Sequence, residues 1–356
     1  MIKKHYGVLR RNAFLSSVCL DFLICLCYTS GVNIFFPNGG ILTMKIGVQT
    51  AHTIDALGID GAFDAYRAAG FDCVDLNLDD RPKISWNELR DGVEDPFFAS
   101  EEGYMPFVNA VNAASKRTGV KIGQVHAPFP LGFRGLEKAN ERGLRWAKTS
   151  IEICHLFDCD KIVIHPLFEG SMRQHPTTRD EEFEMNIPFY SALIPLLRKY
   201  HIICCLENMW AQDWQTKKIY STVCSDMSDA CKYIDRLNEI AGEKLFGFCL
   251  DIGHLVLCSL DNYDAIRELG DRLVTLHIHD NQGGIDDNHV IPYMGIILWE
   301  RFIRGLADAG YNGTLSFETA GQYRKVPTDL LPTMLNWTAD IGRYFDKRIA
   351  EIRNAK

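Results

Sequence analysis

Short apolar runs alternate with longer amphipathic stretches along the chain from Met44 onward. Eight runs of five to seven residues have the length and residue types of buried strands, at 45–50, 72–77, 121–126, 161–165, 202–207, 246–251, 273–279 and 313–318. The stretches between them show helical spacing. In the stretch 136–157 the predicted apolar face contains Leu144, Ala147, Ile151, Cys154 and His155. The pattern predicts eight strands, each followed by a helix.

Several predicted strands are preceded or opened by a glycine, namely Gly70, Gly119, Gly242 and Gly313. Glycine at these points is typical of a helix that ends as the chain turns into a strand. Strands alternating with helices imply parallel pairing, and the chain from Met44 provides about 39 residues for each of eight units, enough for a barrel with long loops. The alternative, a doubly wound sheet, lacks a G-x-G-x-x-G after its first strand. We therefore predict a single (β/α)8 TIM barrel over residues 44–356, ending in a C-terminal helix.

The first 43 residues differ in composition from the rest. They carry four basic residues near the start and one acid, Asp21, within an apolar run from Ala13 to Tyr28. That order outlines a signal peptide or membrane anchor, although Asp21 is costly inside a membrane. The interpretation we favour is a start codon assigned too far upstream, since Met44 opens directly onto the first predicted strand. A folded extension is the third alternative, and no membrane contact is expected of residues 44–356.

The composition is that of a globular protein in a reducing compartment. The 356 residues are 47% hydrophobic and 24% charged, with a net charge of −8. No block of Lys and Arg resembles a nucleic-acid-binding tail. Nine of the twelve cysteines follow Met44, and several fall inside predicted strands, which is typical of reduced thiols and not of a disulfide framework. We expect a cytoplasmic protein.

Predicted strands three to eight end in side chains that can bind metals. The carboxyl ends of the strands of such a barrel meet at one mouth, where reactive residues lie. The side chains at these strand ends or in the loops beside them are His126, His165, Glu207, Asp251, His254, His277, His279, Asp287, His289 and Glu318. Taken singly, each is most often a structural or solvated residue. Together they would place several carboxylates at one point, which is costly without a cation. Because His with Asp or Glu is a ligand set that divalent ions favour, the sequence predicts a metal centre.

Five segments give the chain a family resemblance. They are Val125-His126-Ala127-Pro128, Leu206-Glu207-Asn208, Asp251-Ile252-Gly253-His254, His277-Ile278-His279-Asp280-Asn281 and Ser316-Phe317-Glu318. With these segments, the chain from Met44 to about Arg324 resembles the xylose-isomerase-like TIM barrel superfamily. That superfamily includes sugar isomerases and epimerases, inosose dehydratases and zinc apurinic-site endonucleases.

The resemblance to one-metal epimerases implies a ligand set and an acid–base pair. The ligands of one divalent ion would be Glu207, Asp251, His277 and Glu318, with Mn²⁺ expected first and Zn²⁺, Co²⁺ or Mg²⁺ as alternatives. The two glutamates would also be the catalytic residues, moving a proton next to a carbonyl through an enediolate. The substrate-binding residues would be His254, His279 and His126.

The resemblance to the endonucleases implies additional metal ligands for three zinc ions, namely His126, His165, His254, Asp287 and His289. The chain departs from that branch at His279-Asp280-Asn281, where endonucleases tend to have Asn-Asp-Ser, and its segment 295–299 ends in Trp as in the isomerases. It also departs from some epimerases, because Gly283 and Gly284 stand where those have a sugar-contacting Arg.

The function expected from these observations is that of a metal-dependent sugar or sugar-phosphate isomerase or epimerase, of the aldose–ketose isomerase or ketose 3-epimerase type. The alternatives are a zinc-dependent apurinic/apyrimidinic endonuclease, an inosose-dehydratase-like lyase and a non-catalytic sugar-binding barrel. The expected partner is a small sugar. Nucleic acid is not favoured, and a homo-oligomer is compatible with the sequence.

Overall fold

The computed structural model describes residues 43–168, 177–213, 215–283 and 286–355. Eight parallel strands form one sheet. The strands are β1 Ile46–Gln49, β2 Cys73–Asn77, β3 Lys121–His126, β4 Lys161–Val163, β5 Ile203–Glu207, β8 Phe246–Asp251, β9 Leu273–His277 and β10 Leu315–Phe317. In this sheet β10 lies beside β1, and β8 lies beside β5. Each lies within or coincides with a predicted run, so the strand prediction is confirmed.

The sheet closes on itself between its last two strands. Ile278, just after β9, donates its N–H to the carbonyl of Ser316 at 2.8 Å, and its own carbonyl accepts the N–H of Glu318 at 3.0 Å. The two ends of the eight-stranded sheet therefore meet as a barrel, which confirms the predicted fold. Closure also brings the ends of β9 and β10 to the same mouth as β1.

Helices alternate with the strands around the outside. They are α1 Thr53–Ala69, α2 Trp86–Asp91, α3 Pro96–Ala99, α4 Glu101–Thr118, α5 Glu137–Leu156, α6 Arg179–Ser191, α7 Ile194–Tyr200, α8 Met227–Ala241, α9 Ile252–Leu257, α10 Asn262–Leu269, α11 Trp299–Asp308, α12 Ala320–Tyr323 and α13 Leu331–Asn354. The last of these is the predicted C-terminal helix, and it packs on α1, α11 and β1. Ser85 and Thr178 start α2 and α6 with capping boxes, which satisfy otherwise orphaned backbone N–H groups.

Local predictions were accurate at most points and wrong at two. Gly70, Gly119 and Gly242 do end helices in the left-handed conformation, but before β10 that conformation belongs to Gly310 (φ 69°), not to Gly313. The buried face of α5 is turned relative to the prediction. His155 is exposed and Leu144 half-buried, while the buried face includes Arg142, Gly143 and Trp146.

A short antiparallel hairpin, β6 Trp210–Gln212 with β7 Ile219–Ser221, follows β5 and was not predicted. Its strands are three residues each, too short for a period of two to stand out in the sequence. The hairpin matters to the site, because Trp210 reaches back to the barrel mouth.

The predictions for the N-terminal segment lie outside the described residues, which begin at Thr43. Among the helices that the structure does describe, none combines the length and apolar character needed to span a membrane. The nine cysteines from Cys73 to Cys258 are free thiols, and seven of them are buried.

Candidate metal centre

A cavity of about 270 Å³ opens at the carboxyl ends of the strands. Seven of the predicted site residues line it, namely His126, His165, Glu207, His254, Asp287, His289 and Glu318. Seven other lining residues were not predicted: Gln49, Asn77, Asp79, Phe129, Phe168, Met209 and Trp210. The mouth therefore combines a polar floor with an aromatic wall.

Four predicted ligands converge at the floor of this cavity. Glu207, Asp251, His277 and Glu318 each place one ligand atom within 4.8 Å of those of the other three. His277 Nδ1 lies 3.1 Å from Glu207 Oε2 and 2.9 Å from Glu318 Oε2, yet it has no hydrogen-bond partner. A buried imidazole nitrogen facing two carboxylate oxygens without a hydrogen bond is the arrangement that a divalent ion completes. The residues present therefore fit a metal.

The carboxylates at the floor of the cavity also need positive charge close by. Burial opposes ionisation of Glu207, but the neighbouring His277 and His165 hold its pKa well below the usual range. Burial likewise opposes ionisation of Glu318, whose pKa is kept well below its usual range mainly by His277 and His289. Both carboxylates are thus ionised only because positive charge lies close by. That charge can come from imidazolium protons or from a bound ion.

A first flanking cluster consists of His126, His165 and Glu207, and Glu207 also belongs to the four floor residues. His165 Nε2 lies 3.0 Å from Glu207 Oε2 and 3.0 Å from His126 Nε2. His126 Nδ1 lies 2.8 Å from the carbonyl of Ala127, which can only accept, so Nδ1 carries the hydrogen. His126 Nε2 then points at the cluster, where the neutral ring could ligate a metal through its lone pair.

A second flanking cluster is centred on Asp287. The Oδ2 atom of Asp287 is 2.9 Å from His254 Nε2 and 2.8 Å from His289 Nε2, and it accepts the indole N–H of Trp210 at 3.2 Å. His254 Nδ1 lies 2.8 Å from the carbonyl of Asn208, which directs its Nε2 toward the cavity as in His126. Burial alone would lower the pKa of His289, but Asp287 and Glu318 raise it to about 9.

The motif around Asp251 holds that ligand from two sides. The Asn208 side chain donates to the backbone carbonyl of Asp251 at 2.8 Å and accepts its N–H at 2.9 Å. His279 Nε2 lies 3.0 and 2.9 Å from the two oxygens of Asp251, and its ring stacks on His289 at 3.9 Å. A Cβ on Gly253 would collide with that ring, at 2.6 Å from both ring nitrogens. Glycine is therefore required between Asp251 and His254.

His279 occupies a different place from the one expected of a substrate-binding residue. It is fully buried, it lies outside the cavity lining, and it contacts Asp251. His277 and Asp251 are also buried beneath the lining, as ligands under a bound substrate would be. The other predicted residues are brought to the cavity wall or floor, and His279 lies beside Asp251 in a group with His254, Asp287 and His289.

Two functional positions were missed at the sequence level. Gln49, at the end of β1, donates from Nε2 to Glu318 Oε1 at 2.8 Å. Asp75, inside β2, lies 2.9 Å from His277 Nε2 through its Oδ2. The available signal was a polar residue in each of the first two strands. It was weaker than the signal in the later strands, because Gln49 and Asp75 are neither histidines nor strand-end carboxylates. Phe129, Phe168 and Met209 lie in loops, where no periodicity reveals them.

Comparisons with known proteins agree with this fold. A family model described as xylose isomerase-like TIM barrel matches residues 63–341. The uncharacterized protein y4fM of Sinorhizobium fredii is 32% identical over 101 residues, which are 28% of this chain and 32% of that protein. The match thus spans about a third of that relative's length. The uncharacterized protein ML2432 of Mycobacterium leprae is 21% identical over 85% of this chain and 98% of its own.

Several solved structures share the fold. The 3-keto-D-glucoside 4-epimerase YcjR of E. coli has a TM-score of 0.61 at 17% identity, covering 83% of this chain and 99% of its own. A D-tagatose 3-epimerase-like protein gives 0.61 at 20%, covering 88% and 99%. The IOLI protein, solved with a zinc atom, gives 0.62 at 15%, also covering 88% and 99%. At these identities the similarity shows the fold alone.

Proposed function

The chain belongs to the xylose isomerase-like TIM barrel family, and from that membership we propose that it is a divalent-metal-dependent sugar isomerase or epimerase. The observation that carries the proposal is the convergence of Glu207, Asp251, His277 and Glu318 at the floor of a cavity of about 270 Å³. Two of the similar structures described above are named as an epimerase and an epimerase-like protein, and a third holds zinc. These names support an isomerase-type reaction on a sugar or sugar phosphate.

The four floor residues would hold the ion. Three carboxylates and one imidazole favour Mn²⁺, with Zn²⁺, Co²⁺ and Mg²⁺ as alternatives. When bound, the ion supplies Lewis-acid polarisation of a substrate carbonyl, which makes the proton on the adjacent carbon easier to remove. The protein's own contribution is to place proton-transfer groups beside that carbon.

Glu318 and Glu207 are the acid–base pair of this proposal. Both direct an Oε2 atom toward His277 Nδ1, at 2.9 and 3.1 Å, so they flank the same point from β10 and β5. The Glu318 side chain is 14% exposed and that of Glu207 only 1%. Glu318 Oε2 is therefore the more accessible base, while Gln49 holds its other oxygen. Glu207 would return the proton, and help of this kind contributes on the order of 10²–10⁴-fold in rate.

The wall of the cavity would orient the sugar and exclude water. His126 and His254 line the cavity, where their Nε2 atoms can form hydrogen bonds with sugar hydroxyls. Phe129 and Trp210 add aromatic surface to the cavity lining. Exclusion of water strengthens the interactions between the carboxylates and the polarised substrate.

The test is proton exchange with solvent. We would incubate the Mn²⁺-loaded protein in D₂O with a panel of aldoses, ketoses and their phosphates and follow deuterium next to the carbonyl by NMR. One sugar should be converted and labelled, and Glu318→Gln should stop this because it removes the base while keeping the shape. Glu243→Gln is the matched control, since Glu243 is paired with Arg198 on the surface. Absence of conversion across the panel with metal bound would contradict the proposal.

The two flanking clusters favour a second candidate, a zinc-dependent apurinic/apyrimidinic endonuclease. The first contains two histidines and one carboxylate, His126 and His165 with Glu207. The second contains three histidines and one carboxylate, namely His254, His279 and His289 with Asp287. Such sets suit zinc. Elemental analysis after purification with zinc separates the candidates, because one ion per chain supports the isomerase and three support the endonuclease. Nicking of abasic-site DNA would decide for the endonuclease.

A further inference from the structure

A buried polar chain runs inside the barrel beneath the metal centre. Asp75 on β2, Gln124 on β3 and Thr275 on β9 are at most 2% exposed. Barrel interiors are usually filled by branched apolar side chains. Three polar residues in contact there need a reason, and the chain they form ends at His277.

The donors and acceptors in this row of buried polar side chains can be assigned in only one way. The Thr275 hydroxyl donates to Gln124 Oε1, so the other end of that amide is its NH₂ group. Gln124 Nε2 donates to Asp75 Oδ2 at 2.9 Å. The same Oδ2 lies 2.9 Å from His277 Nε2. An ionised carboxylate only accepts, so the neutral imidazole of His277 must carry its hydrogen on Nε2.

The consequence appears on the other side of the ring. With its hydrogen on Nε2, His277 directs the lone pair of Nδ1 at the point between Glu207 Oε2 and Glu318 Oε2. This is the tautomer that ligates a metal. An imidazole with its hydrogen on Nδ1 would instead donate to those carboxylates and occupy the position of the ion.

We propose that Asp75 is a positioning residue that fixes the tautomer and orientation of His277 and thereby sets the affinity of the site for its divalent ion. The inference rests on the metal centre of the proposed function, but not on the identity of the sugar. A carboxylate behind a metal-bound histidine increases the basicity of the ring, and loss of such a partner typically weakens metal binding about 10–100-fold.

A purely structural role for Asp75 fits the contacts less well. Its second oxygen, Oδ1, is buried without a hydrogen-bond partner, and a buried oxygen left in that state is destabilising. The groups bonded to Oδ2 are a neutral amide and an imidazole. A residue selected only to join β2 to β9 would avoid the cost of a buried negative charge. The charge is useful when a cation binds on the far side of the ring.

The experiment compares metal affinity in the full-length protein after its metal has been stripped. Mn²⁺ binding would be measured by competition with a fluorescent chelator for the unchanged protein, for Asp75→Asn and for a matched control, Asp95→Asn. Asp95 is another buried aspartate, 3% exposed, and accepts the N–H groups of Lys83 and Phe97 at 2.8 Å. Asp75→Asn should bind Mn²⁺ about 10–100-fold more weakly. The control should lose stability and keep its Mn²⁺ affinity.

A second readout and a second variant make the test independent of folding defects. In the metal-free protein at alkaline pH, where the His277 ring is neutral, ¹⁵N NMR of labelled histidines should show His277 as the Nε2–H tautomer, and Asp75→Asn should show a mixture of the two tautomers. Thr275→Val, which breaks the chain without touching His277, should weaken Mn²⁺ binding by roughly two- to fivefold. It serves in place of Asp75→Asn if that variant does not fold.

The outcomes separate this inference from the proposed function. If the unchanged protein binds Mn²⁺ and the folded Asp75→Asn protein binds it within about threefold, a difference well below the usual effect of such a partner, the role of Asp75 is wrong and the metal centre stands. If the unchanged protein binds no divalent ion, the metal centre and the role of Asp75 are both overturned. A weaker Asp75→Asn protein with an unchanged Asp95→Asn protein supports the inference.

Discussion

Some residues that do not line the cavity hold the predicted metal ligands in place. Gly253 provides the space for the His279 ring, which lies between Gly253 and His289 and contacts both oxygens of Asp251. The two motifs Asp251–His254 and His277–Asn281 are therefore parts of one packed unit. A methyl group at position 253 would act on the metal centre through His279.

The first prediction concerns that methyl group. Gly253→Ala should displace His279, lower the free energy of unfolding by about 1–3 kcal/mol through overpacking, and weaken Mn²⁺ binding because Asp251 loses its neighbour. Chemical denaturation and Mn²⁺ competition would measure the two effects. Gly61→Ala is the control, since Gly61 lies in α1 with only the Leu57 side chain near its Cβ position. That change should raise stability by about 0.5–1 kcal/mol. Normal Mn²⁺ affinity in Gly253→Ala would contradict the packing argument.

A second prediction separates one bound ion from several. Asp251→Ala removes one of three carboxylates from the central four and should abolish tight Mn²⁺ binding. His289→Ala removes a residue of the flanking cluster only, so it should reduce Mn²⁺ affinity far less. Calorimetric titration of both variants measures this difference. Equal losses would favour a multinuclear centre and the endonuclease.

At the scale of elements, α6 carries a buried carboxyl group of its own. Glu182 is 2% exposed and accepts hydrogen bonds from Thr177 at 3.0 Å and from Arg179 at 3.3 Å. Burial raises the pKa of Glu182 to about 6, and Arg179 and Thr177 only partly oppose that shift. The folded state therefore favours the protonated form more than the unfolded chain does.

A third prediction follows from the sign of that shift. Because the pKa is raised on folding, the contribution of Glu182 to stability is full below about pH 4.5 and is lost as the pH rises through about 6. The loss amounts to at most about 2 kcal/mol. Glu182→Gln should therefore gain stability relative to the unchanged protein between pH 4.5 and pH 7, as measured by urea denaturation. Glu184→Gln, an exposed change on the same helix, should show no such gain. A constant difference for Glu182→Gln across this range would refute the argument.

The loop that enters α11 is anchored by one buried carboxylate. Asp280 accepts the backbone N–H groups of Tyr293, Gly295 and Ile297 at 3.0–3.1 Å, and the indole N–H of Trp299 at 3.1 Å. The segment 295–299, which resembles the isomerases in sequence, ends in Trp299. Its hydrogen bond to Asp280 gives Trp299 a structural role. Trp299 is not among the residues that line the cavity.

The sequence predicted strand positions better than side-chain directions. Buried parallel strands leave a strong apolar signal, so the barrel could be recognised, and the strand-end histidines and carboxylates were recognised because their residue types are unusual there. His279 lies two residues past the end of β9, beyond the regular strand, so its direction could not be read. Asp75 lies between the apolar Val74 and Leu76, and its importance depends on His277, which is distant in sequence and adjacent only in the closed barrel.

At the scale of the whole molecule, β1 completes the barrel by pairing with both β2 and β10. Just before it, the backbone N–H of Met44 donates to Asp346 Oδ1 of α13 at 3.0 Å. The chain around Met44 is therefore tied to the last helix as well as to the sheet. Stability of the barrel depends on the residues from Met44 onward.

A fourth prediction tests the interpretation of the N-terminal segment. A protein that begins at Met44 should fold with its melting temperature nearly unchanged and retain metal binding, since its α-amino group can take the place of the N–H beside Asp346. A protein that begins at Thr50 lacks β1, leaves β2 and β10 without their shared neighbour, and should not fold. Circular dichroism and thermal melts of both proteins provide the comparison. Insolubility of the Met44 protein beside a soluble full-length chain would contradict the interpretation.

Glu207 belongs both to the central four residues and to the cluster with His126 and His165. One carboxylate can neutralise only part of the charge of two ions, so if both positions bind zinc their occupancies are thermodynamically linked and negatively cooperative. Couplings of this kind are typically about 1–3 kcal/mol, which would separate a zinc titration into two unequal steps. His165→Ala should remove the weaker step alone, whereas Glu207→Gln should impair both. Calorimetric titration with zinc would measure both steps and show whether the single side chain of Glu207 couples the two binding equilibria.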